Sequence, residues 1–142
     1  MSTEQNKALM RQFFAALDTG DLEGMVAQVT EDMVTHTPIP GIGRGREGFR
    51  GFMSVFFSAF PEQSVQVHRV IAEGDRVAVH HTHHATHGGD FLGLPPTGKR
   101  VTVTGIEIFR IWDGKIAEMW HQDDLLSLMQ QLGIVPGPEQ RT

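Results

Sequence analysis

The chain has 142 residues, a net charge of −5, 39% hydrophobic residues and no cysteine. This length fits one domain with one core, and the lack of thiols excludes disulfides, a cysteine nucleophile and thiolate metal sites. The acidic balance and the scattered Lys and Arg disfavour nucleic acid and anionic membranes as partners, and no apolar run approaches the roughly 18 residues of a membrane-spanning helix. We expect a soluble, cytoplasmic domain over residues 1–135 with a C-terminal tail at 136–142.

Three helices are predicted in the first 60 residues. Ser2 and Gln5 have the spacing of a capping box, and the first helix should end at Gly20. Asp21 can cap a second helix, whose apolar residues recur at helical intervals as far as Val29. The third helix ends before a proline, and its apolar stripe consists of Phe49, Phe52, Met53, Phe56 and Phe60.

The period of the apolar residues changes to two after the third helix, as expected of strands. Strands are predicted at 65–71, 76–86, 99–112 and 115–122, with Asp113-Gly114 as a hairpin turn and a short last helix at 125–132. Helices followed by an antiparallel sheet that must bury one face indicate an α+β domain. A bent sheet closed by helices leaves a concave, apolar pocket, which is the default ligand site.

Two acidic residues are candidates for this pocket. Alternation along the last strand groups Asp124 with Trp120 and Gln122, and alternation along its partner places Glu107 among apolar neighbours. A carboxyl group desolvated by apolar walls has a raised pKa, as a general base for a carbon acid requires near neutral pH. Asp124 can instead be the N-cap of the last helix, unless Asp123 takes that position, and Glu107 can instead lie on a solvated face.

A cluster of histidines at residues 80–84 invites a metal interpretation, because imidazole is a common ligand of late transition metals. Alternation places His81 and His83 on one face of a strand and His80 and His84 on the other. A third ligand would have to come from His36, His121 or Glu107. An unpaired histidine on a strand is usually hydrogen-bonded or solvated, so we expect no bound metal. Nucleotide-binding and serine-hydrolase motifs are also missing, and we expect no organic cofactor.

Several short segments, taken in order and spacing, resemble one known family. They are Phe60-Pro61, Ala72-Glu73-Gly74-Asp75-Arg76-Val77-Ala78, Thr86-His87-x-Gly89, Phe91-x-Gly93-x-Pro95-Pro96-Thr97-Gly98-Lys99, Asp113-Gly114-Lys115-Ile116-x-Glu118-x-Trp120 and Leu128-x-x-Gln131-Leu132-Gly133. Over nearly the whole chain they resemble the SnoaL-like polyketide cyclases, or ester cyclases, of the nuclear-transport-factor-2-like (NTF2-like) superfamily. The resemblance implies a cone in which three N-terminal helices wrap a curved antiparallel sheet around an apolar pocket.

The resemblance also implies a chemistry. Founding members close the last ring of aromatic polyketides by an intramolecular aldol condensation, without metal or organic cofactor, using one aspartate as acid and base. That aspartate lies nine residues before the glycine of the Gln-Leu-Gly segment, which here makes it Asp124, nine before Gly133. A pocket histidine on the long strand of those cyclases corresponds to Glu107 here.

We therefore expect a cofactor-free cyclase-type enzyme for a hydrophobic, polyketide-like carbonyl compound, with Asp124 and Glu107 as catalytic residues. A non-catalytic binding domain, or an isomerase or hydrolase on the same scaffold, is the alternative. Ile106, Ile108 and Trp112 lie on the strand face opposite Glu107 and predict a homodimer through the outer face of the sheet. The predicted pocket residues are His36, Phe52, Phe56, Phe60, His81, His83, His87, Trp120 and His121.

Overall fold

The structure, a computed structural model, describes residues 2–36 and 43–137. The helices within these ranges are α1 (Thr3–Thr19), α2 (Leu22–Val26), α3 (Gly45–Ala59) and α4 (Leu125–Gln131). The strands are β1 (Val29–Thr35), β2 (Ser64–Glu73), β3 (Arg76–Thr86), β4 (Arg100–Trp112) and β5 (Lys115–Asp123). Most of the predicted tail, residues 138–142, lies outside the described residues, so its fraying stays a prediction.

Helix α1 begins and ends where the sequence predicts. The Ser2 hydroxyl accepts a hydrogen bond from the backbone N–H of Gln5 at 3.1 Å, and the Gln5 side chain accepts one from the backbone N–H of Ser2 at 2.9 Å. Gly20 ends the helix with φ of 72°, a left-handed conformation that glycine adopts without steric cost. The inward face of α1 buries Met10, Phe13, Phe14 and Leu17.

The predicted second helix is wrong beyond Val26. Helix α2 has only five residues, and Val29 begins β1, a strand that the sequence did not predict. The Gln28 carbonyl accepts a hydrogen bond from the Ile116 N–H at 2.7 Å, and β1 then runs parallel to β5. This pairing joins residues far apart in the chain, so the helical spacing of the local sequence could not reveal it.

The five strands form one curved sheet in the order β1-β5-β4-β3-β2. The pairs β2–β3, β3–β4 and β4–β5 are antiparallel, as the sequence predicts. The pair β1–β5 is parallel. The core lies between the inner face of the sheet and helices α1, α2 and α3. The α+β class and the wrapped, curved sheet expected from the resemblance are confirmed.

A β-bulge in the β4–β5 hairpin decides which side chains of β5 face inward. Ile111 pairs with Ile116, but Arg110 pairs with Glu118, so Ala117 is an extra residue on β5. Ile116 and Ala117 are consequently both buried, and the alternation of β5 restarts one residue later. The inward-facing residues of β5 beyond Ile116 are Ala117, Met119, His121 and Asp123.

The length of the described helices bears on whether one of them could cross a bilayer. The longest of them, α1, has 17 residues. None of the helices in the described ranges is long and apolar enough to cross a membrane.

Candidate active site

A cavity of about 810 Å³ lies between the inner face of the sheet and the helices. This volume falls within the range of sites that enclose a small organic molecule. Its walls are mainly apolar and rich in phenylalanine, and they carry a polar cluster from the sheet as well as the charged Glu31, Asp32 and Arg44, so it favours a flat apolar ligand that carries a few oxygen atoms. The phenylalanines on the wall, which include three predicted for the pocket, are Phe13, Phe14, Phe49, Phe52, Phe56, Phe60, Phe91 and Phe109.

The polar end of the cavity is formed by four side chains from three adjacent strands. His81 comes from β3, Glu107 from β4, and His121 and Asp123 from β5. Glu107 pairs directly with His121 across the antiparallel ladder. Strand register therefore brings together groups that lie about 40 residues apart in the sequence.

Gly105 makes this meeting possible. It pairs with His81 on one side and with Asp123 on the other, so it lies beneath the space between them. A Cβ atom at position 105 would be 2.1 Å from Asp123 Oδ1 and 3.1 Å from His81 Nε2. Because a real Cβ atom does not approach another atom so closely, the carboxyl group can occupy this position only over a glycine.

The four side chains are in close contact, and His81 and Glu107 are almost fully buried, whereas the side chains of His121 and Asp123 are 29% and 32% exposed. His81 Nε2 lies 2.5 Å from Glu107 Oε2 and 3.7 Å from Asp123 Oδ1, and His121 Nδ1 lies 3.7 Å from Glu107 Oε1. His81 and Glu107 are only 5% and 4% exposed. Within the described residues, both nitrogens of His81 and Oε2 of Glu107 lack an aligned hydrogen-bond partner. Buried polar atoms of this kind are uncommon, and their presence here points to a functional role for the cluster.

The two carboxyl groups are driven to opposite protonation states. Burial raises the pKa of Asp123 to about 8, with a further contribution from the hydrogen bond and negative charge of Glu107. Burial also acts to raise the pKa of Glu107, but its close polar contacts with His121, His81 and Asp123 together prevail and lower that pKa to about 2. At neutral pH one carboxyl group therefore holds a proton beside an ionised one, so Asp123 can exchange a proton near physiological pH.

The predicted position of Asp124 in the cavity is wrong. Asp124 is the N-cap of α4, and its Oδ1 accepts a hydrogen bond from the Ser127 N–H at 3.1 Å. Its side chain is exposed and does not border the cavity. Without the bulge at Ala117, Asp124 would have shared a face with Glu107; the extra residue moves Asp123 into that place.

His36 and Trp120 do not border the cavity either, and for Trp120 the cause is the same change of face. The His36 ring stacks on the Trp120 ring with centroids 4.6 Å apart, and its Nε2 lies 2.6 Å from Glu118 Oε2. Arg110 forms an ion pair with the other oxygen of Glu118. These residues form a surface cluster on the outer face of the sheet rather than part of the cavity wall.

His87 is fully buried but belongs to the loop between β3 and β4 rather than to the cavity wall. Its Nδ1 accepts a hydrogen bond from the backbone N–H of Thr97 at 3.3 Å, and its ring lies 5.6 Å from that of Phe60. We interpret His87 as an anchor of this loop. The other predicted pocket histidines, His81, His83 and His121, do border the cavity.

The sequence contained a signal for the site residues that were missed. Ala117 and Met119 are apolar and lie two residues apart, and counting by two from them leads to Asp123. Counting by two from Ile116 leads to Asp124 instead. Gly105, in the middle of a strand of otherwise large residues, was a second signal, since a strand glycine often marks a close approach.

The same cluster contains a possible set of metal ligands. One donor atom each of His81, Glu107 and Asp123 lies within 4.8 Å of the other two. Imidazole and carboxylate donors suit several divalent cations. The expectation that the protein needs no metal therefore remains a prediction, with these three residues as the first to test.

The fold and the cavity define a class of protein: an α+β cone around an apolar cavity that is bordered by a carboxyl group of raised pKa. The sequence matches the family of SnoaL-like polyketide cyclases over residues 7–132, and the chain belongs to that family. This membership supports a cyclase-type role.

The chain is also similar to individual proteins over most of its length. The nogalonic acid methyl ester cyclase of Streptomyces nogalater is 25% identical over 121 residues, which cover 84% of this chain and 90% of that protein. The structure of TsrD from Streptomyces laurentii is similar with a TM-score of 0.85 and 31% identity, covering 95% of this chain and 99% of that one. AclR from Streptomyces galilaeus, described as a candidate hydroxylase, has a TM-score of 0.83 and 32% identity, covering 96% of this chain and 85% of its own.

Proposed function

We propose that the protein is a cytoplasmic enzyme that closes a ring in a flat, hydrophobic, polyketide-like carbonyl compound by an intramolecular aldol reaction, with Asp123 as its acid and base. The observation that carries this proposal is the raised pKa of Asp123 at the polar end of an aromatic cavity, beside the ionised Glu107. A general acid and base works best when its pKa lies near the operating pH.

The proposed reaction needs only one proton-transferring group. Asp123, as the carboxylate, removes a proton from a carbon atom next to a carbonyl group, and the electrons of that C–H bond form an enolate. The enolate carbon attacks a second carbonyl carbon of the same molecule, so a C–C bond forms and the C=O π bond breaks. The resulting alkoxide takes the proton back from Asp123. Product and substrate are isomers, and the electrons balance without an oxidant or reductant.

The cavity supports this reaction in two further ways. Its aromatic walls would hold a flat substrate in one orientation, which lowers the entropic cost of bringing the two carbonyl-bearing carbons together. Glu107 acts as a positioning residue through Asp123, because its negative charge keeps the proton affinity of Asp123 high. An extended conjugated carbonyl compound already has an acidic C–H bond, so one well-placed base is sufficient.

The test is the replacement of Asp123 by asparagine. Asn preserves the shape of the side chain but cannot exchange a proton, so Asp123→Asn should lower turnover by about 10²–10⁴-fold. Nogalonic acid methyl ester is the first substrate to assay, because the S. nogalater relative is named for it. Ring closure would be followed by chromatography and mass spectrometry, and folding by the melting temperature.

Asp124→Asn is the matched control. Asn and Asp cap helices about equally well, so this change in the neighbouring residue should leave both turnover and melting temperature nearly unchanged. Wild-type turnover in Asp123→Asn would contradict the mechanism. Binding of the ester without conversion would favour the alternative of a non-catalytic binding domain.

A further inference from the structure

A second polar contact borders the cavity beside the acid cluster, which consists of His81, Glu107, His121 and Asp123. His83 lies two residues after His81 on β3, on the same inward face, and its ring centroid is 5.0 Å from that of Phe56. His83 Nε2 lies 2.6 Å from Oε1 of Gln63, which is not part of the cavity wall. The ring of His83 thus separates Gln63 from the cavity.

The orientation of the Gln63 amide is determined by its other contacts. Its Nε2 donates hydrogen bonds to the Leu17 carbonyl at 2.5 Å and, more weakly, to the Asp18 carbonyl at 3.4 Å. Only the amide nitrogen can donate to a carbonyl, so the amide oxygen must face His83. An amide oxygen only accepts hydrogen bonds, and His83 Nε2 must therefore carry the hydrogen.

The second nitrogen of His83 is consequently a lone-pair acceptor. The partner of Nε2 is a neutral amide oxygen, and within the described residues no carboxylate forms an ion pair with His83, so an imidazole of ordinary pKa, about 6.5, is mainly neutral at physiological pH. A neutral ring with its hydrogen on Nε2 has none on Nδ1. Within the described residues, Nδ1 has no hydrogen-bond partner, and it is not among the fully buried polar atoms that lack one. Nδ1 therefore keeps some accessible surface. Because the ring borders the cavity, a ligand there can reach it.

We infer that His83 is a specificity-determining residue whose Nδ1 accepts a hydrogen bond from a hydroxyl group on the ring system of the ligand. The inference rests on the proposed function for the class of ligand. A hydroxyl can donate to Nδ1, whereas a carbonyl oxygen there would bring two lone pairs together. An ether or a bare C–H would leave the buried nitrogen unpaired. Sites built to pair with a hydroxyl discriminate well against analogues that lack one.

Two simple aromatic probes test the inference without any turnover. 2-Naphthol has a free hydroxyl group, and 2-methoxynaphthalene presents an oxygen that cannot donate. By calorimetry, wild-type protein should bind 2-naphthol roughly three- to tenfold more tightly, the range expected of one neutral hydrogen bond. Failure of 2-naphthol to bind, or a lack of preference for it, would overturn the inference.

His83→Phe should abolish this preference, since phenylalanine keeps an aromatic ring beside Phe56 but has no acceptor. Asp123→Asn should retain the preference, because the hydroxyl donates its hydrogen bond to His83 and not to the acid cluster. A preference that persists in His83→Phe would therefore show that another group reads the hydroxyl. Since Asp123→Asn tests binding here and turnover above, the two proposals can fail separately.

The tautomer of His83 can be measured directly in the full chain without a probe. Long-range ¹H–¹⁵N correlation spectra should show the hydrogen of His83 on Nε2. Gln63→Leu removes the acceptor that holds this tautomer, so the spectrum should move toward a mixture and the naphthol preference should weaken. A hydrogen on Nδ1 in the wild-type protein would overturn the inference, whatever the probes do.

Discussion

The two faces of the sheet present the same residue types in different environments. On β3, His81 and His83 face the cavity, whereas His80 and His84 face outward. Outward-facing His84 shares a hydrogen bond with Thr102 Oγ1 at 3.2 Å, an ordinary surface contact. The inward pair instead contacts Glu107, through His81, and Gln63, through His83, at distances of 2.5 and 2.6 Å. Odd-numbered and even-numbered histidines of β3 thus lie on opposite faces of the sheet, and the face determines which groups each one contacts.

The carboxyl groups of β5 show the same contrast. On the outer face, the pKa of Glu118 is lowered by hydrogen bonds from His36 and, next, from Arg110. On the inner face, the pKa of Asp123 is raised by burial and by Glu107. The difference shows that a histidine near a carboxylate does not by itself make a catalytic site. Burial and a second carboxylate distinguish the inner cluster.

Gly105→Ala should disturb the inner face most strongly. The added Cβ would overlap Asp123 Oδ1, so the carboxyl group must move away from its position beside His81. A displacement of about 1 Å can cost on the order of 10²-fold in rate, and we expect a loss of that size in the ring-closure assay. Ile106→Ala, one residue further along β4 on the exposed outer face, is the control and should keep most activity. Equal activity in the two variants would contradict the assigned role of Gly105.

Glu107→Gln should change the pH dependence. Activity requires the Asp123 carboxylate, so kcat/KM of the wild type should rise with pH through an apparent pKa near 8. Removing the charge of Glu107 makes the Asp123 carboxylate easier to form, so the rising limb of the kcat/KM profile should move to lower pH. Burial, the larger cause, remains and keeps the limb above the ordinary range of an aspartate. Glu118→Gln on the outer face should leave the limb in place, and an equal shift in both variants would argue against the direct coupling of Glu107 and Asp123.

The outer face is the predicted surface of a homodimer. Ile106, Ile108 and Trp112 are 52%, 42% and 62% exposed, which is unusual for side chains of this size. We expect Ile108→Glu to convert a dimer to the 15.8 kDa monomer in sedimentation experiments, with little change in turnover. A wild-type protein that sediments only as a monomer at micromolar concentration would refute the predicted dimer.

The smallest effect is expected from removal of metal ions. Despite the cluster of His81, Glu107 and Asp123, we expect elemental analysis of the purified protein to find no stoichiometric metal and chelators to leave turnover unchanged. One tightly bound zinc, iron or manganese per chain, with activity lost to chelators, would instead make these three residues its ligands.

The features that local sequence determines could be predicted. The capping box at Ser2, the glycine that ends α1 and the aromatic stripe of α3 depend on residues a few positions apart. The bounds of β3 and the alternation that places Glu107 inward also follow from a regular period of two. These local features were enough to predict the α+β class.

The features that depend on pairing between distant strands could not be predicted from local patterns. Val29 fits the helical spacing of α2, and only the parallel edge offered by β5 makes it part of a strand. The choice between Asp123 and Asp124 depended on a bulge several residues earlier, so counting by two from Ile116 led to the wrong face. The inward position of Glu107 was predicted correctly, whereas the second inward-facing carboxyl group was assigned to Asp124 instead of its neighbour Asp123.

The extra residue at Ala117 determines which face of the sheet each later side chain of β5 occupies. A substitution along this strand alters one contact, whereas the loss of one residue at the bulge would exchange the two faces of everything that follows. Trp120 and Gln122 would then point into the cavity, and His121 and Asp123 would point outward. A single deletion or insertion at this position could therefore give the same cone a different set of polar side chains in its cavity. No other residue of the chain would have to change.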